Sequence, residues 1–481
     1  MIPEMLILQK FIMFGGSAFL GSEVLCMWLK NKAHKPQEIA TGKLGNINSL
    51  RGITGKEGLR ISKRIKLSKR ASMEHILVVG SSGSHKTTSL FYPNLLTEDL
   101  GECSLVISDP KGELFRDTAN YQRSIGREPI LFSPLSPLNS FKYNLLEQCK
   151  YNTEIVELGQ CILVNGAKAL ELSTGAKSGG IEWINMSLPL FVAALMYCKS
   201  KGRPMNTISN ALKLIISHSN EELNLLLSNA GEDIKEQYSI FKMSMESPKT
   251  MSSIKTTLAT NLQLFLDKNI IEATKETEFT AEDLRNKPIT LYINYLEQKA
   301  NYLSPFTSVF YSQIIAHLMQ KQGLDVYILL DEFINIGVLN NFTSTIATAR
   351  SRGIGFLICL QSISQLNNLY GESNAQSILN NLKTKCILPG TSDMRTLNYA
   401  SELTGETEIE TKSTSKSENN TTTSYGTTKK RLFNADEIRQ LGDNEILIIA
   451  HNKQVVKDMQ NLYFENEKYS QYVYAEELPF R

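Results

Sequence analysis

Short runs of Ile, Leu and Val recur in two blocks of the chain, and the stretch between the blocks follows a helical rhythm instead. In residues 74–145 the runs are HILVVG, SLVISDP and PILFSP, each closed by Gly or Pro. In residues 287–481 they are ITLYINY, VYILLDE, GFLICLQ, CILPG and EILIIA. Apolar residues at successive rather than alternate positions are what a strand buried on both faces requires. Separated by helical stretches, such strands predict an α/β fold with a parallel sheet covered on both sides. Residues 150–280 lack this character. Ile208, Ala211, Leu212 and Ile215 share one face of a helix over Thr207–Ser217. Ser219 and Glu222 have capping-box spacing ahead of LNLLLSNAG, Gly231 is placed to stop that helix, and Ile254–Leu266 reads as another amphipathic helix. The apolar stripes here read as core rather than as ligand contacts. The expected organisation is a nucleotide-binding domain in two parts, 36–149 and 281–481, interrupted by an all-helical insertion over 150–280.

Two segments break the pattern. Phe11 to Leu29 is an apolar stretch whose one charge is Glu23, long enough to span a bilayer as a helix. Trp28 at its end and Lys30, Lys32 and Lys35 after it place the following chain in the cytoplasm. Residues 1–35 are thus expected to be a single-pass anchor. A cleaved signal peptide is the rival, but its basic flank would come before the apolar run. Glu23 either faces a neighbouring helix or snorkels to an interface. The second exception, residues 411–430, reads TKSTSKSENNTTTSYGTTKK. It has too little apolar surface to order itself and is expected to be a flexible loop, either a solvated linker or a docking tail.

The 481 residues favour two or three domains, and 42% hydrophobic with 21% charged residues is ordinary globular composition. The seven cysteines include no CxxC pair, and some sit in apolar runs, as Cys359 does, which fits reduced buried thiols rather than disulfides or zinc. The histidines are scattered and none is assigned to a metal. The net charge of +2 is uneven: residues 30–70 carry twelve Lys and Arg against Glu38 and Glu57, so the remainder is net acidic. That excludes a generally basic nucleic-acid glove, and any DNA contact must come from a local patch or an assembled channel. The basic stretch reads as topology retention and lipid attraction, or as a positive collar near a DNA channel; the two are compatible.

The candidate chemistry begins at residues 76–92, ILVVGSSGSHKTTSLFY. A strand runs into a loop of small residues, Gly80, Ser81, Ser82, Gly83 and Ser84, followed by His85, Lys86, Thr87 and Thr88. Such a loop lets backbone N–H groups close around phosphates, with Lys86 reaching the β/γ-phosphates of ATP, Thr87 on Mg²⁺ and a helix N-terminus aimed at the same charge. His85 stands where the pattern wants glycine, so its Cβ either crowds the phosphate or strains the turn. A strand-to-helix turn that is merely rich in Gly and Ser is the plainer alternative. In VYILLDE, Asp331 ends an apolar strand where it can hold the Mg²⁺ water shell, and Glu332 can orient or deprotonate the attacking water.

The chain resembles the type IV coupling proteins of bacterial conjugation, the TraG/TraD class within the FtsK/HerA-like group. The resemblance lies in VVGSSGSHKTTSLFYPNLL, VISDPKGELF, LLDEFINIG, ATARSRGIGFLICLQSISQL and FNADEIRQLGDNEILII, in that order, and covers most of residues 1–450. SDPKGEL (108–114) is the most family-specific phrase, and Trp183 looks like the start of the family's helical domain. The resemblance implies a RecA-like P-loop ATPase forming a homo-hexameric ring at the inner membrane. It would receive a relaxase with its single-stranded DNA and pass both to a type IV secretion channel. It also implies that Gln361 senses the γ-phosphate and that Arg350, or next to it Arg352, is an arginine finger acting across subunits. Two surface cations on a helix end are the plain reading of those arginines. The chain departs from the family at His85 and in having one spanning segment where the family often has two. A docking receptor with a weak or dead nucleotide site, and a related DNA or protein pump, are the competing functions.

Overall fold

The computed structural model describes residues 42–175, 180–243, 248–417 and 420–473. The predicted membrane segment at 11–29 lies outside them. Among the described residues no helix is long and apolar enough to cross a membrane.

Twelve strands are described. They are β1 (Leu44–Gly45), β2 (Ile76–Val79), β3 (Cys103–Asp109), β4 (Glu128–Phe132), β5 (Ile289–Asn294), β6 (Asp325–Leu330), β7 (Ile354–Leu360), β8 (Thr384–Ile387), β9 (Glu406–Ser417), β10 (Asn420–Arg431), β11 (Glu445–Ala450) and β12 (Val455–Met459). Seven of them, in the order β4, β5, β3, β6, β7, β2, β8, form a parallel sheet. β11 joins β8 antiparallel, β12 pairs antiparallel with β11, and β1 closes that edge parallel to β12. Every apolar run of the sequence is one of these strands. Those at the centre are buried along their whole length, β2 and β7 at every residue, as coverage of both faces demands.

The longer helices are α1 (Glu113–Ser124), α2 (Asn152–Thr174), α3 (Gly180–Ser200), α4 (Ile208–Ser217), α5 (Asn220–Ser228), α6 (Glu232–Met243), α7 (Pro248–Asn261), α8 (Lys268–Ala273), α9 (Ala300–Gln320), α10 (Phe342–Thr348), α11 (Ile363–Tyr370), α12 (Glu372–Asn381) and α13 (Met394–Thr404). The stretch between β4 and β5 is helical, as its periodicity requires. The capping box forms, with Glu222 N–H donating to Ser219 Oγ (3.2 Å) and Ser219 N–H to Glu222 Oε2 (2.7 Å). The helix stops at Ser228, before Gly231. This stretch shares one compact unit, residues 44–404 with 433–481, with the sheet. Asn165 on α2 exchanges hydrogen bonds with the backbone of Val338 (2.8 and 3.1 Å), and Lys168 Nζ donates to Leu369 O (2.8 Å).

One expectation changes. Residues 411–430 are not a flexible loop where described: they belong to a long antiparallel ribbon, β9 with β10, in register from Glu406 opposite Arg431 to Ser417 opposite Asn420. A ladder satisfies backbone groups without burying apolar surface, and threonine, stiff at χ1, suits it. The ribbon belongs to the second compact unit, of which residues 42–43 and most of 405–432 are described. The described part of the basic stretch is folded and largely charge-paired. Arg60 and Lys66 both reach Asp99 (3.0 and 2.8 Å), Arg64 reaches Asp458 (2.7 Å) and Lys69 reaches Asp325 (2.7 Å). The six described cysteines are free and buried.

Candidate nucleotide-binding site

Parallel sheets gather ligand sites at the carboxyl ends of their strands. Here β2 ends in the Gly80–Thr87 loop, β6 in Asp331 and Glu332, and β7 in Gln361, while β3 ends on Asp109. These strands are consecutive neighbours in the sheet, so the four ends converge. A cleft of about 210 Å³ results, lined from the loop by Ser82, Gly83, His85, Lys86, Thr87 and Thr88, and on the opposite wall by Asp331 and Glu332.

The loop geometry follows from its small residues. A Cβ on Gly80 would strike Ser84 Oγ and come within 2.8 Å of Leu388 Cβ. Ser84 Oγ donates to Ser81 O (2.8 Å), closing the turn. His85 has φ +64°, the left-handed conformation that a glycine takes freely. The chain thus adopts the glycine-type turn with histidine in it, and the imidazole is left exposed at the cleft. The strained backbone expected at His85 is thus present in the turn. The His85 carbonyl accepts from Ser89 N–H (2.8 Å) and Ser89 Oγ (2.6 Å), which starts the following helix. That helix opens with a wide π-type turn over Thr87–Phe91, in which Tyr92 N–H reaches Thr87 O. Pro93 supplies no N–H to the ladder there.

Lys86 is buried and its ammonium donates to Gly80 O and Ser81 O, both at 2.9 Å. Thr87 Oγ1 donates to Asp331 Oδ2 at 2.6 Å. That bond joins residues 244 positions apart and places both sequence motifs in one cleft. Burial raises the Asp331 pKa, opposed by the Thr87 hydrogen bond and the charges of Lys86 and Lys111. Its Oδ1 is buried without a hydrogen-bond partner. A hard-oxygen pair with an unsatisfied carboxylate atom fits Mg²⁺, which takes carboxylate, hydroxyl and water ligands.

Glu332 also holds a left-handed backbone, φ 56° and ψ 56°. Asn335 Nδ2 donates to its Oε2 (2.6 Å) and Gln361 Nε2 to its Oε1 (3.2 Å). Burial raises the Glu332 pKa, reinforced by Glu297 and Asp331 and opposed by Gln361. Gln361 is therefore tied to the acidic residue of the cleft.

Arg350 and Arg352 are elsewhere. They occupy the turn Ala349–Arg352 at the amino end of β7, the opposite end of that strand from Gln361. At about 3.3 Å per residue, the seven residues of β7 put the turn roughly 20 Å from the cleft of the same chain. Arg350 Nη1 pairs with Glu74 Oε1 (2.7 Å).

Four charged cleft residues were missed as site residues: Asp109, Lys111, Glu113 and Glu297. The first three belong to SDPKGEL, whose position after a buried strand was the available signal. Ser108 Oγ donates to Asp331 O (2.9 Å), Asp109 accepts from Leu114 N–H and Phe115 N–H at the start of α1 (3.3 and 2.9 Å), and Asn294 Nδ2 donates to Asp109 O (2.9 Å). Burial raises Asp109 to about 6.

A phosphate loop and an acidic strand end facing each other across a parallel sheet define the RecA-like P-loop class of α/β protein. The fold agrees with solved coupling proteins: TrwBdeltaN70 in complex with sulphate superposes with a TM-score of 0.69 at 17% identity, covering 89% of this chain and 95% of that one. TrwB in complex with ADP and Mg²⁺ gives 0.67 at 16% identity over 89% and 95%. Within that class, the chain belongs to the family described as type IV secretory system conjugative DNA transfer, which matches residues 37–477. Relatives include protein VirD4 of Rhizobium rhizogenes, 28% identical over 72% of this chain and 51% of its own length. Conjugal transfer protein TraG of Escherichia coli is 25% identical over 70% and 56%. The chain thus spans about half the length of these relatives.

Proposed function

We propose that this chain is the ATP-driven coupling protein of a conjugative DNA-transfer system. It is read as anchored in the inner membrane through residues 11–29, with its body in the cytoplasm. It takes a relaxase with its single-stranded DNA and delivers both to a type IV secretion channel. The observation that carries the reading is the Thr87–Asp331 hydrogen bond, which builds one cleft from the two nucleotide motifs in a chain of this family. The TrwB complexes with ADP and Mg²⁺ and with an ATP analogue support the choice of ligand.

The chemistry then follows from the side chains. Lys86 exchanges its two loop carbonyls for phosphate oxygens, and the loop backbone and helix N-terminus stabilise the remaining charge. Thr87 and Asp331 would hold Mg²⁺, which would supply charge neutralisation at the phosphates. Glu332, with its pKa raised by burial and by Glu297, accepts a proton from the attacking water. Gln361 fixes the Glu332 carboxylate and reports its state to the end of β7. Arg350, distant from its own cleft, acts on a neighbour's cleft in a homo-hexamer. The helical stretch 150–280 is the cargo reader, so exchanging it for a relative's should change which relaxase is accepted. The decisive test is ATP hydrolysis by the full chain with and without single-stranded DNA, beside plasmid transfer by Lys86→Ala. Transfer by that variant at the wild-type rate refutes the motor.

A further inference from the structure

The arginine turn is held by residues that no motif marks. We propose that Glu74 and His75, the two residues immediately before β2, are positioning residues for Arg350. This rests on the reading of Arg350 as a group offered to a neighbouring copy's nucleotide cleft.

Glu74 engages the arginine itself. Its carboxylate is largely buried, with 11% side-chain exposure, whereas Arg350 keeps 59%. Glu74 Oε1 accepts from Arg350 Nη1 at 2.7 Å, and Oε2 lies 3.1 Å from His451 Nδ1. Arg70 approaches the same carboxylate at 3.6 Å. The guanidinium is therefore fixed through one nitrogen by a carboxylate that is itself immobilised, while most of its surface stays available. A surface cation with no function gains little from such an arrangement, because exposed ion pairs contribute little to stability.

His75 clamps the backbone on both sides of the same turn. Its Nδ1 accepts from Phe356 N–H on β7 (3.2 Å), so Nε2 carries the proton and donates to Ile346 O on α10 (2.9 Å). Ile346 precedes the arginine turn and Phe356 follows it. Burial lowers the His75 pKa to about 4, which keeps the ring neutral and this donor–acceptor pattern fixed at physiological pH. The backbone at His75 is left-handed, φ 65°, a conformation that costs energy for a non-glycine residue and sets the ring between the two elements. Arg285 braces the far side, donating to Arg352 O (2.7 Å) and Gly353 O (3.4 Å). The clamp sits at the start of the strand whose other end is the phosphate loop.

The test is steady-state ATP hydrolysis by the full chain with single-stranded DNA, comparing wild type, Glu74→Gln, Arg350→Ala and the double variant. Loss of an arginine finger lowers kcat by about 10³-fold, and loosening one by an ångström costs on the order of tenfold to a hundredfold. Glu74→Gln should therefore lower kcat by about tenfold or more, with KM for ATP, nucleotide affinity and Tm unchanged. The double variant should hydrolyse at the rate of Arg350→Ala alone. A wild-type kcat for Glu74→Gln overturns the proposal and leaves the motor reading intact. So does an equal further loss in the Arg350→Ala background. Wild-type hydrolysis by Arg350→Ala overturns the finger assignment and the positioning role together. Should Glu74→Gln fail to fold, Glu74→Asp keeps the charge, moves it by one methylene and submits to the same comparison.

Discussion

Replacing His85 by glycine tests whether the phosphate loop is a working one. The wild-type loop already has the glycine-type backbone, with His85 at φ +64° and its carbonyl bonded to Ser89. Left-handed backbone costs a non-glycine residue roughly 1–2 kcal/mol. Glycine recovers that cost but gives back about 0.5–1 kcal/mol through the freedom of its unfolded chain. The net gain is on the order of 0.5–1 kcal/mol, about a fivefold change in an equilibrium constant at most. Since the loop does not have to change shape, His85→Gly should tighten ATP binding by no more than about fivefold and leave kcat within about twofold. In a unit of this size, Tm should rise by only about 1–2 °C. His85→Val, β-branched and badly suited to this region, should lose both stability and affinity. Calorimetric titration with a non-hydrolysable ATP analogue and steady-state hydrolysis measure all three. A gain of about a hundredfold in kcat for His85→Gly, some 2.7 kcal/mol, exceeds anything backbone strain supplies here. It would mean that the imidazole blocks the phosphate site and that the natural protein is a docking receptor.

Lys86→Ala removes the one buried ammonium of the loop and should abolish measurable ATP binding by titration, together with plasmid transfer; retained micromolar binding would refute its role. Asp109 is predicted to make stability fall with rising pH. Its folded pKa of about 6 exceeds the ordinary 3.8, so the folded state binds the proton more tightly, and stability is lost between about pH 4 and pH 6 and stays lost above. Relative to Asp109→Asn, the wild type should lose up to about 3 kcal/mol across that window in urea titrations, and a pH-independent difference would refute the reasoning. Deleting Glu406–Arg431 and joining Gly405 to Leu432, already linked by a 3.0 Å backbone hydrogen bond, should leave Tm within about 2 °C by calorimetry, since the ribbon belongs to its own unit. A collapse of the main transition would show that the ribbon carries structure elsewhere.

Much of this architecture was readable in the sequence because buried parallel strands leave so plain a trace. HILVVG, VYILLDE and GFLICLQ each need apolar side chains on both faces, and all three became central strands of the sheet. VVKDM, which became β12, alternates buried and exposed positions only over its last four residues, next to an edge, and carries too short a signal to stand out. The β9–β10 ribbon was missed for a different reason. Its composition says that it cannot build a core, and that is true, but hydrogen bonding alone lets threonines opposite serines and threonines form a ladder. In the cleft, Lys86, Thr87, Asp331 and Glu332 were legible from local chemistry. Glu297 was not, because strand order decides which strand ends meet, and Asp109, Lys111 and Glu113 had only the place of SDPKGEL after a buried strand to mark them. Arg350 could be nominated from its segment, but its partner Glu74 lies 276 residues away and only the register of β2 with β7 brings them together.

On the proposed motor reading, that register also bears on how hydrolysis in one subunit would become motion in another. β2 starts at the Glu74–His75 clamp and ends at the phosphate loop, while β7 starts at the arginine turn and ends at Gln361. The two strands pair in parallel from Ile76 opposite Leu357 to Val79 opposite Leu360, and every residue of both is buried. Close-packed strands of this kind do not bend independently, so a shift at one end is transmitted to the other. On the proposed reading, a change at the γ-phosphate would reach Gln361 through Glu332, and the same pair of strands would carry it to the turn holding Arg350. An arginine on a loop tip would gain nothing from such wiring. On the proposed hexamer reading, one clamped to the first residues of the phosphate-loop strand would be placed so that its own subunit's nucleotide state sets how it is presented to the next cleft.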